Sequence, residues 1–141
     1  MSNKINLQYI ISFFGIIPYI FVLFDKYLFF QIEKEIILNF ILYYTLIICV
    51  FIGSINWNLQ KRIHNYLVIY GFLPSLYAVI IIILNLYNFS ITTLLLLVNI
   101  FMIAQLLLDY LLIYHHSTNR NIFYFLRLPL TIVIILTLMI V

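Results

Sequence analysis

The chain consists of five long apolar runs separated by short polar intervals, and this pattern limits the folds that it can adopt. Hydrophobic residues make up 67% of the 141 residues and charged residues only 8%. A soluble domain carries about a quarter charged residues and roughly half apolar ones. About 20 consecutive apolar residues cross the hydrocarbon core of a bilayer. The sequence therefore predicts an all-α, polytopic integral membrane protein, a bundle of five transmembrane helices in a single domain.

Apolar length sets the boundaries of the predicted spans. They comprise residues 7–24, 36–55, 66–87, 91–114 and 122–141. A fifth span that began at Leu128 would contain 14 residues, or about 21 Å of helix. That length is too short for a hydrocarbon core of about 30 Å. A start at Ile122 is long enough and places Arg127 inside the span, roughly one and a half turns from its beginning.

The first apolar run resembles a secretory signal peptide in its opening, because Lys4 precedes it. Gly15 and Pro18 fall inside the run, however, and no small-residue cleavage site follows it. Asp25 and Lys26 are expected to close the segment instead. The sequence therefore predicts a first span that is retained.

The positions of lysine and arginine predict the orientation of the bundle. One side of the membrane receives Lys4, Lys61, Arg62, Arg120 and Arg127, and the other receives Lys26 and Lys34. Cytoplasmic loops carry the excess of basic residues in membrane proteins. The amino terminus is therefore expected in the cytoplasm and the carboxyl terminus outside, in a bacterial inner membrane. In a mitochondrial inner membrane the matrix would take the place of the cytoplasm.

Asp109 is the most informative polar residue, because it lies inside the fourth apolar run. An ionised carboxylate at the centre of a spanning helix costs about 2.5–3.5 kcal/mol, and less towards the ends. Arg127 lies at nearly the same depth in the next, antiparallel span, so the sequence predicts an Asp109–Arg127 ion pair. Gln105, Asp109 and His116 also share one helix face by their spacing. The alternative is that this face forms a proton or cation site.

A second polar cluster closes the second span on the same side of the membrane. Gly53 permits close approach of helices, and Trp57 is suited to the membrane interface. Asn56 could cap a helix or bind a lipid headgroup. Contacts with anionic lipid headgroups are predicted for Lys61, Arg62 and Arg120. A ligand pocket that includes Asn56 and Trp57 is the alternative interpretation.

Two prolines lie inside predicted spans and are expected to kink their helices. Pro18 and Pro74 each occur in a Gly-x-x-Pro sequence, which begins at Gly15 and at Gly71. A proline removes a backbone hydrogen bond and frees a carbonyl one turn back. Such kinks serve helix packing in most proteins and a moving gate in a few.

Metal, cofactor and nucleic-acid binding are not predicted. Cys49 is the single cysteine, which excludes a cysteine-based zinc site, and the histidines lack the i, i+4 spacing of a helical metal site. No histidine lies deep enough in a span to ligate haem. Ser75 has no neighbouring base, so a serine hydrolase is not expected. The net charge of +3 lies beside apolar runs, which favours membrane lipids over nucleic acid as partners.

The order of several short motifs resembles a family of small bacterial and mitochondrial membrane proteins that includes transmembrane protein 69. The motifs are Gly-Ser-x-Asn-Trp at residues 53–57, Leu-Pro-Ser at 73–75 and Arg-Leu-Pro-Leu-Thr at 127–131. The family pattern has glycine, histidine and glycine where this chain has Ser54, Asn56 and Asn58. The resemblance covers most of the chain and implies an inner-membrane protein of about five spans, without an established activity. The missing family histidine argues against an enzymatic or metal-dependent role.

These observations lead to three ranked hypotheses for function. The first is a non-enzymatic membrane component that assembles or interacts with other membrane proteins, or with itself. The second is a small proton- or cation-coupled transporter that uses Asp109, with Gln105 and the two kinked helices. The third is a lipid-modifying enzyme embedded in the membrane. A transporter predicts a polar cavity that reaches from Asp109 towards the middle of the membrane, whereas an interaction factor predicts a dry bundle.

Overall fold

A computed structural model of the chain describes residues 10–29, 32–54, 64–114 and 120–141. The described part is all-α, and 91% of it is helical. It contains five helices that are long and apolar enough to cross a membrane. In chain order they are α1 (Ile10–Leu28), α2 (Lys34–Ser54), α3 (Asn65–Leu86), α4 (Ile91–Ile113) and α5 (Phe123–Ile140).

The second helix occupies the centre of the bundle. α2 packs against α1, α3 and α4, and α5 packs against α4 and α1. Short connections make successive helices antiparallel neighbours, which explains the contacts between consecutive helices. The interior is closely packed with aliphatic side chains, and its fully buried members include Ile41, Leu42, Ile81, Leu94, Val98 and Met102.

The first helix is interrupted near its middle, where the sequence predicts a kink at Pro18. Gly15 and Ile16 form a turn, and the helix resumes as Ile17–Phe24 with Pro18 in its first turn. A proline is tolerated there because the backbone N–H that it lacks would have no partner within the helix. The carbonyl oxygen of Gly15 accepts a hydrogen bond from the Tyr44 hydroxyl of α2 at 2.9 Å. A side chain from a neighbouring helix thus satisfies a backbone group that the interruption exposes.

The end of α1 differs from the prediction that Asp25 and Lys26 close the first span. The helix continues past them as a π-helical segment, Asp25–Phe29. The ammonium of Lys26 donates hydrogen bonds to backbone oxygens of Ile140 and Val141 at the end of α5, the second at 3.3 Å. Because a cation is favourable at a helix carboxyl end, this contact stabilises the packing of α1 against the end of α5.

The contact between α2 and α3 depends on Gly53. A Cβ atom built on Gly53 would lie 2.7 Å from the carbonyl oxygen of Gly71 and 2.8 Å from Cγ of Pro74. Only a residue without a side chain permits this approach. α3 itself runs through Pro74 without interruption. The Gly-x-x-Pro sequences of α1 and α3 therefore both contact α2, the first through Gly15 and the second through Gly71 and Pro74.

Candidate functional site: a buried polar network in one half of the bundle

Asp109 and Arg127 form an ion pair between α4 and α5. Nε of Arg127 donates to Oδ2 of Asp109 at 2.6 Å. The side chain of Asp109 is 4% exposed and that of Arg127 is 12% exposed. A charge-assisted hydrogen bond at this separation is among the stronger contacts in proteins. The geometry neutralises the carboxylate within the apolar part of the bundle, where an isolated charge would be unfavourable.

The hydroxyl of Tyr70 brings α3 into the same network. It donates a short hydrogen bond to Oδ1 of Asp109 and lies 3.1 Å from the backbone carbonyl oxygen of Gln105. Tyr70 is buried, with 4% of its surface exposed. The two carboxylate oxygens of Asp109 therefore each have a donor, one from α5 and one from α3. Three helices meet at one side chain.

Gln105 extends the network to α2. Its Nε2 donates to the backbone carbonyl oxygen of Cys49 at 3.2 Å. Towards the middle of the bundle the next residues are Cys49 and Met102, which are fully buried and whose sulfur atoms are 3.0 Å apart. Buried side chains therefore fill the interior between Gln105 and the middle of the bundle. All helices except α1 contribute to the network.

Both members of the ion pair lie at the ends of π-helical segments. Asp109 is the last residue of regular α-helix in α4 and is followed by a π-helical segment, Tyr110–Tyr114. Arg127 ends another π-helical segment, Phe123–Arg127. A π-helical turn shifts the angular positions of the residues that follow it, and such turns are frequent at functional sites. The backbone carbonyl oxygen of Arg127 accepts a hydrogen bond from the Thr131 hydroxyl at 2.8 Å, which holds the junction to the regular helix.

Two buried polar atoms of the network have no hydrogen-bond partner within the described part of the chain. They are Oε1 of Gln105 and Nη2 of Arg127. Buried polar groups are nearly always paired, with protein or with ordered water. One is an acceptor and the other is a donor, so a water molecule could serve either of them.

Several predicted site residues lie outside the described residues. They are His116, Asn56, Trp57, Lys61 and Arg62, together with the side chain of Arg120. Their predicted roles in proton transfer, ligand binding and headgroup contact therefore stay predictions. Of the predicted set, the structure brings together Asp109, Gln105 and Arg127. Pro74 lies against Gly53 of α2, and Pro18 lies in the first turn of the second part of α1, so neither belongs to the network.

Sequence reasoning did not predict the burial of two polar side chains, those of Tyr70 and Asp25. Tyr70 was not predicted to bind Asp109, although it lies about five residues inside its span, as Asp109 does. Matching the depths of polar atoms across all five spans would have found it. Asp25 was expected to close the first span, but its side chain is 4% exposed and its Oδ2 has no partner among the described residues.

Two surface grooves of the described chain lie away from the network. One, of about 330 Å³, is formed by α2 and α3 and is lined by apolar side chains and Tyr43. The other, of about 390 Å³, lies between α2, α4 and α5. Neither is lined by Asp109, Gln105 or Arg127. Within the described residues no group of three histidine, cysteine or acidic side chains could hold a metal ion.

Comparison of the chain with known protein families, with curated proteins and with solved structures finds no match. The resemblance to the family that includes transmembrane protein 69 therefore stays a prediction.

Proposed function

We propose that the protein is a non-enzymatic component of a bacterial inner membrane, or of its mitochondrial equivalent, that assembles with other membrane proteins. The observation that carries this proposal is the state of Asp109. The residue best suited to bind a proton or cation in a span is instead engaged by Arg127 and Tyr70 and holds three helices together. A rigid bundle of this kind is suited to present surfaces to neighbouring proteins.

α1 has the most exposed surface of the five helices and is therefore the best candidate to contact a partner protein. Only 17% of the residues in its spanning stretch are buried within the bundle, the lowest share among the five helices. Its exposed aromatic side chains are Phe13, Phe14, Phe21, Phe24 and Tyr27. Aromatic residues provide large contact areas at protein interfaces. Phe14 and Phe21, on either side of the interruption at Gly15 and Ile16, are 61% and 55% exposed.

Affinity purification from native membranes tests the proposal. We expect the tagged protein to retain a stoichiometric partner in mild detergent, and the Phe14→Ala, Phe21→Ala double variant to lose it. Phe72→Ala and Phe125→Ala on α3 and α5 form the matched control, because these side chains are also exposed. Equal recovery of the partner by both double variants, or no stoichiometric partner with the wild type, contradicts the proposal.

A proton- or cation-coupled carrier that uses Asp109 is the second candidate. The unpartnered Oε1 of Gln105 and Nη2 of Arg127 favour this function, because they are an acceptor and a donor that could bind a water molecule near the carboxylate. Proton flux into liposomes that contain the purified protein tests this function. Flux that Asp109→Asn abolishes, while the variant remains folded, would establish the carrier and displace the first proposal.

A further inference from the structure

The two parts of α1, on either side of its interruption, are held against the bundle to different degrees. In the first part, residues 10–14, four of the five side chains are exposed. In the second part, Ile17–Phe24, the side chains of Tyr19 and Val22 are each only 1% exposed. The hydroxyl of Tyr19 also lies 2.9 Å from that of Thr45 on α2. Buried contacts therefore fix the second part of α1, whereas the first part has little packing.

The backbone between the two parts lacks regular helical hydrogen bonds. Pro18 has no N–H, so it cannot donate to the carbonyl oxygen of Phe14 as a residue in a regular helix would. The N–H of Tyr19 donates to Ile16 at 3.0 Å, in place of the bond to Gly15 that a regular helix has. Two successive carbonyl groups thus lose their helical donors. Hinges consist of a few residues that absorb changes in backbone angles, and helices bend at proline and glycine.

Tyr44 of α2 contacts this junction from the side. Its hydroxyl donates to the carbonyl oxygen of Gly15 at 2.9 Å. Its ring contacts that of Tyr19 edge to face and stacks on that of Phe40, with ring centres 5.3 and 6.1 Å away. These ring contacts involve the second part of α1 and α2 itself. The position of the Tyr44 hydroxyl therefore does not depend on where the first part of α1 lies.

We propose that α1 is hinged at Gly15 and Ile16, and that the Tyr44 hydroxyl is the latch that holds residues 10–14 against α2. In the open state the first part moves away from α2 and uncovers the surface around Ile48, whose Cδ1 lies 3.9 Å from a Cβ atom built on Gly15. Lipid tails offer no donor to replace the hydroxyl, so the freed carbonyl group makes this state unfavourable. The open state is therefore the minor one of two states in equilibrium.

The hinge also determines how the exposed aromatic side chains of α1 are arranged. Phe14 lies before the hinge and Phe21 after it. Opening changes the distance between these two rings, so a partner that binds both of them favours one of the two states. The hinge itself does not depend on what α1 binds and is compatible with either candidate function. Its failure therefore leaves both of those functions unaffected.

Distances between pairs of spin labels, in lipid nanodiscs that hold one copy of the protein, test the hinge. One pair joins Ile11→Cys to Ile47→Cys on α2, and the other joins Phe24→Cys to Ile47→Cys. The three labelled positions are exposed, whereas the native Cys49 is buried. We expect two distances for the first pair, with the longer one in the minority, and a single distance for the second pair.

Three variants of the first labelled pair test the latch and the hinge separately. Tyr44→Phe keeps the ring and removes the hydroxyl, so we expect the ratio of the longer to the shorter distance to rise about two- to tenfold, the effect of one hydrogen bond. Tyr19→Phe is the matched control, because it removes a hydroxyl that bonds α1 to α2 beyond the hinge. It should leave the ratio unchanged. Pro18→Ala supplies the missing N–H and should lower the ratio.

Several results would overturn the proposal. One is a single distance for the first pair that stays the same in Tyr44→Phe. An equal response of the ratio to Tyr44→Phe and Tyr19→Phe would show that the Tyr44 hydroxyl is not a latch. A ratio in Pro18→Ala equal to that of the wild type would place no hinge at the interruption. A second, longer distance for the pair at Phe24 and Ile47 would show that the whole of α1 leaves α2 instead.

Discussion

At the scale of single residues, the surroundings of Asp109 determine what this carboxylate can do. Arg127 donates to one of its oxygens and Tyr70 to the other, and all three side chains are largely buried. In an apolar interior the two charges cannot be separated without leaving each of them poorly solvated. The pair therefore stabilises the contact between α4 and α5 as long as both partners are present.

Neutralising one member of the pair is expected to destabilise the protein more than neutralising both. Asp109→Asn leaves the Arg127 guanidinium buried without a carboxylate and should lower the free energy of unfolding by about 3–5 kcal/mol. Adding Arg127→Met to Asp109→Asn should restore part of that loss. Unfolding by denaturing detergent in mixed micelles measures both. Glu35→Gln is the control, because Glu35 is exposed. A double variant no more stable than Asp109→Asn would contradict the role of the pair.

Tyr70→Phe isolates the contribution of a single hydroxyl. The change removes the donor to Oδ1 of Asp109 and keeps the ring that packs between α3 and α4. Hydrogen bonds to charged groups contribute about 1.5–3 kcal/mol, so we expect a loss of that size in the same unfolding assay. Tyr87→Phe removes a hydroxyl from a ring that is 76% exposed and should have almost no effect. Equal stability of the two variants would show that Tyr70 holds no structural role through its hydroxyl.

At the scale of helices, Gly53 sets how closely α2 and α3 approach. Gly53→Ala would place a methyl group 2.7 Å from the carbonyl oxygen of Gly71, which is backbone and cannot move aside on its own. Overpacking of this kind costs typically about 1–3 kcal/mol, and we expect a loss in that range. Ser54→Ala, at an exposed neighbouring position, is the control. If Gly53→Ala were as stable as the wild type, the close contact would not be a requirement of the bundle.

The positions of the helices were largely predictable from the sequence. Long apolar runs mark each helix, and their length is what suits a helix to cross a membrane. The helical part of the chain around Arg127 shows this: the fifth apolar helix begins at Phe123 rather than after Arg127. The rotation of each helix about its axis was not predictable. In α2 to α5 the hydrophobic residues surround each helix almost evenly, so no apolar stripe indicates which side faces inward. The burial of Asp25 and the contact of Tyr70 depend on that rotation.

At the scale of the whole molecule, five spans predict that the two ends of the chain lie on opposite sides of the membrane. The predicted orientation depends on an excess of five basic residues over two. Reporter fusions at each end should place the amino terminus inside and the carboxyl terminus outside. Fusions that place both ends in one compartment would contradict a bundle of five spans.

Changing the distribution of charge tests the cause of that orientation. Lys61→Gln with Arg62→Gln leaves three basic residues on the inner side. Adding Phe89→Lys and Ser90→Lys between α3 and α4, where both side chains are exposed, raises the outer side to four. The excess of lysine and arginine would then lie on the outer side. If this excess sets the orientation, we expect the variant to insert in mixed or inverted orientation. The same reporters measure it, and Lys61→Arg with Arg62→Lys, which conserves charge, should keep the original orientation. If the variant with all four substitutions inserts as the wild type does, contacts within the bundle, such as the Asp109–Arg127 pair, set the orientation instead.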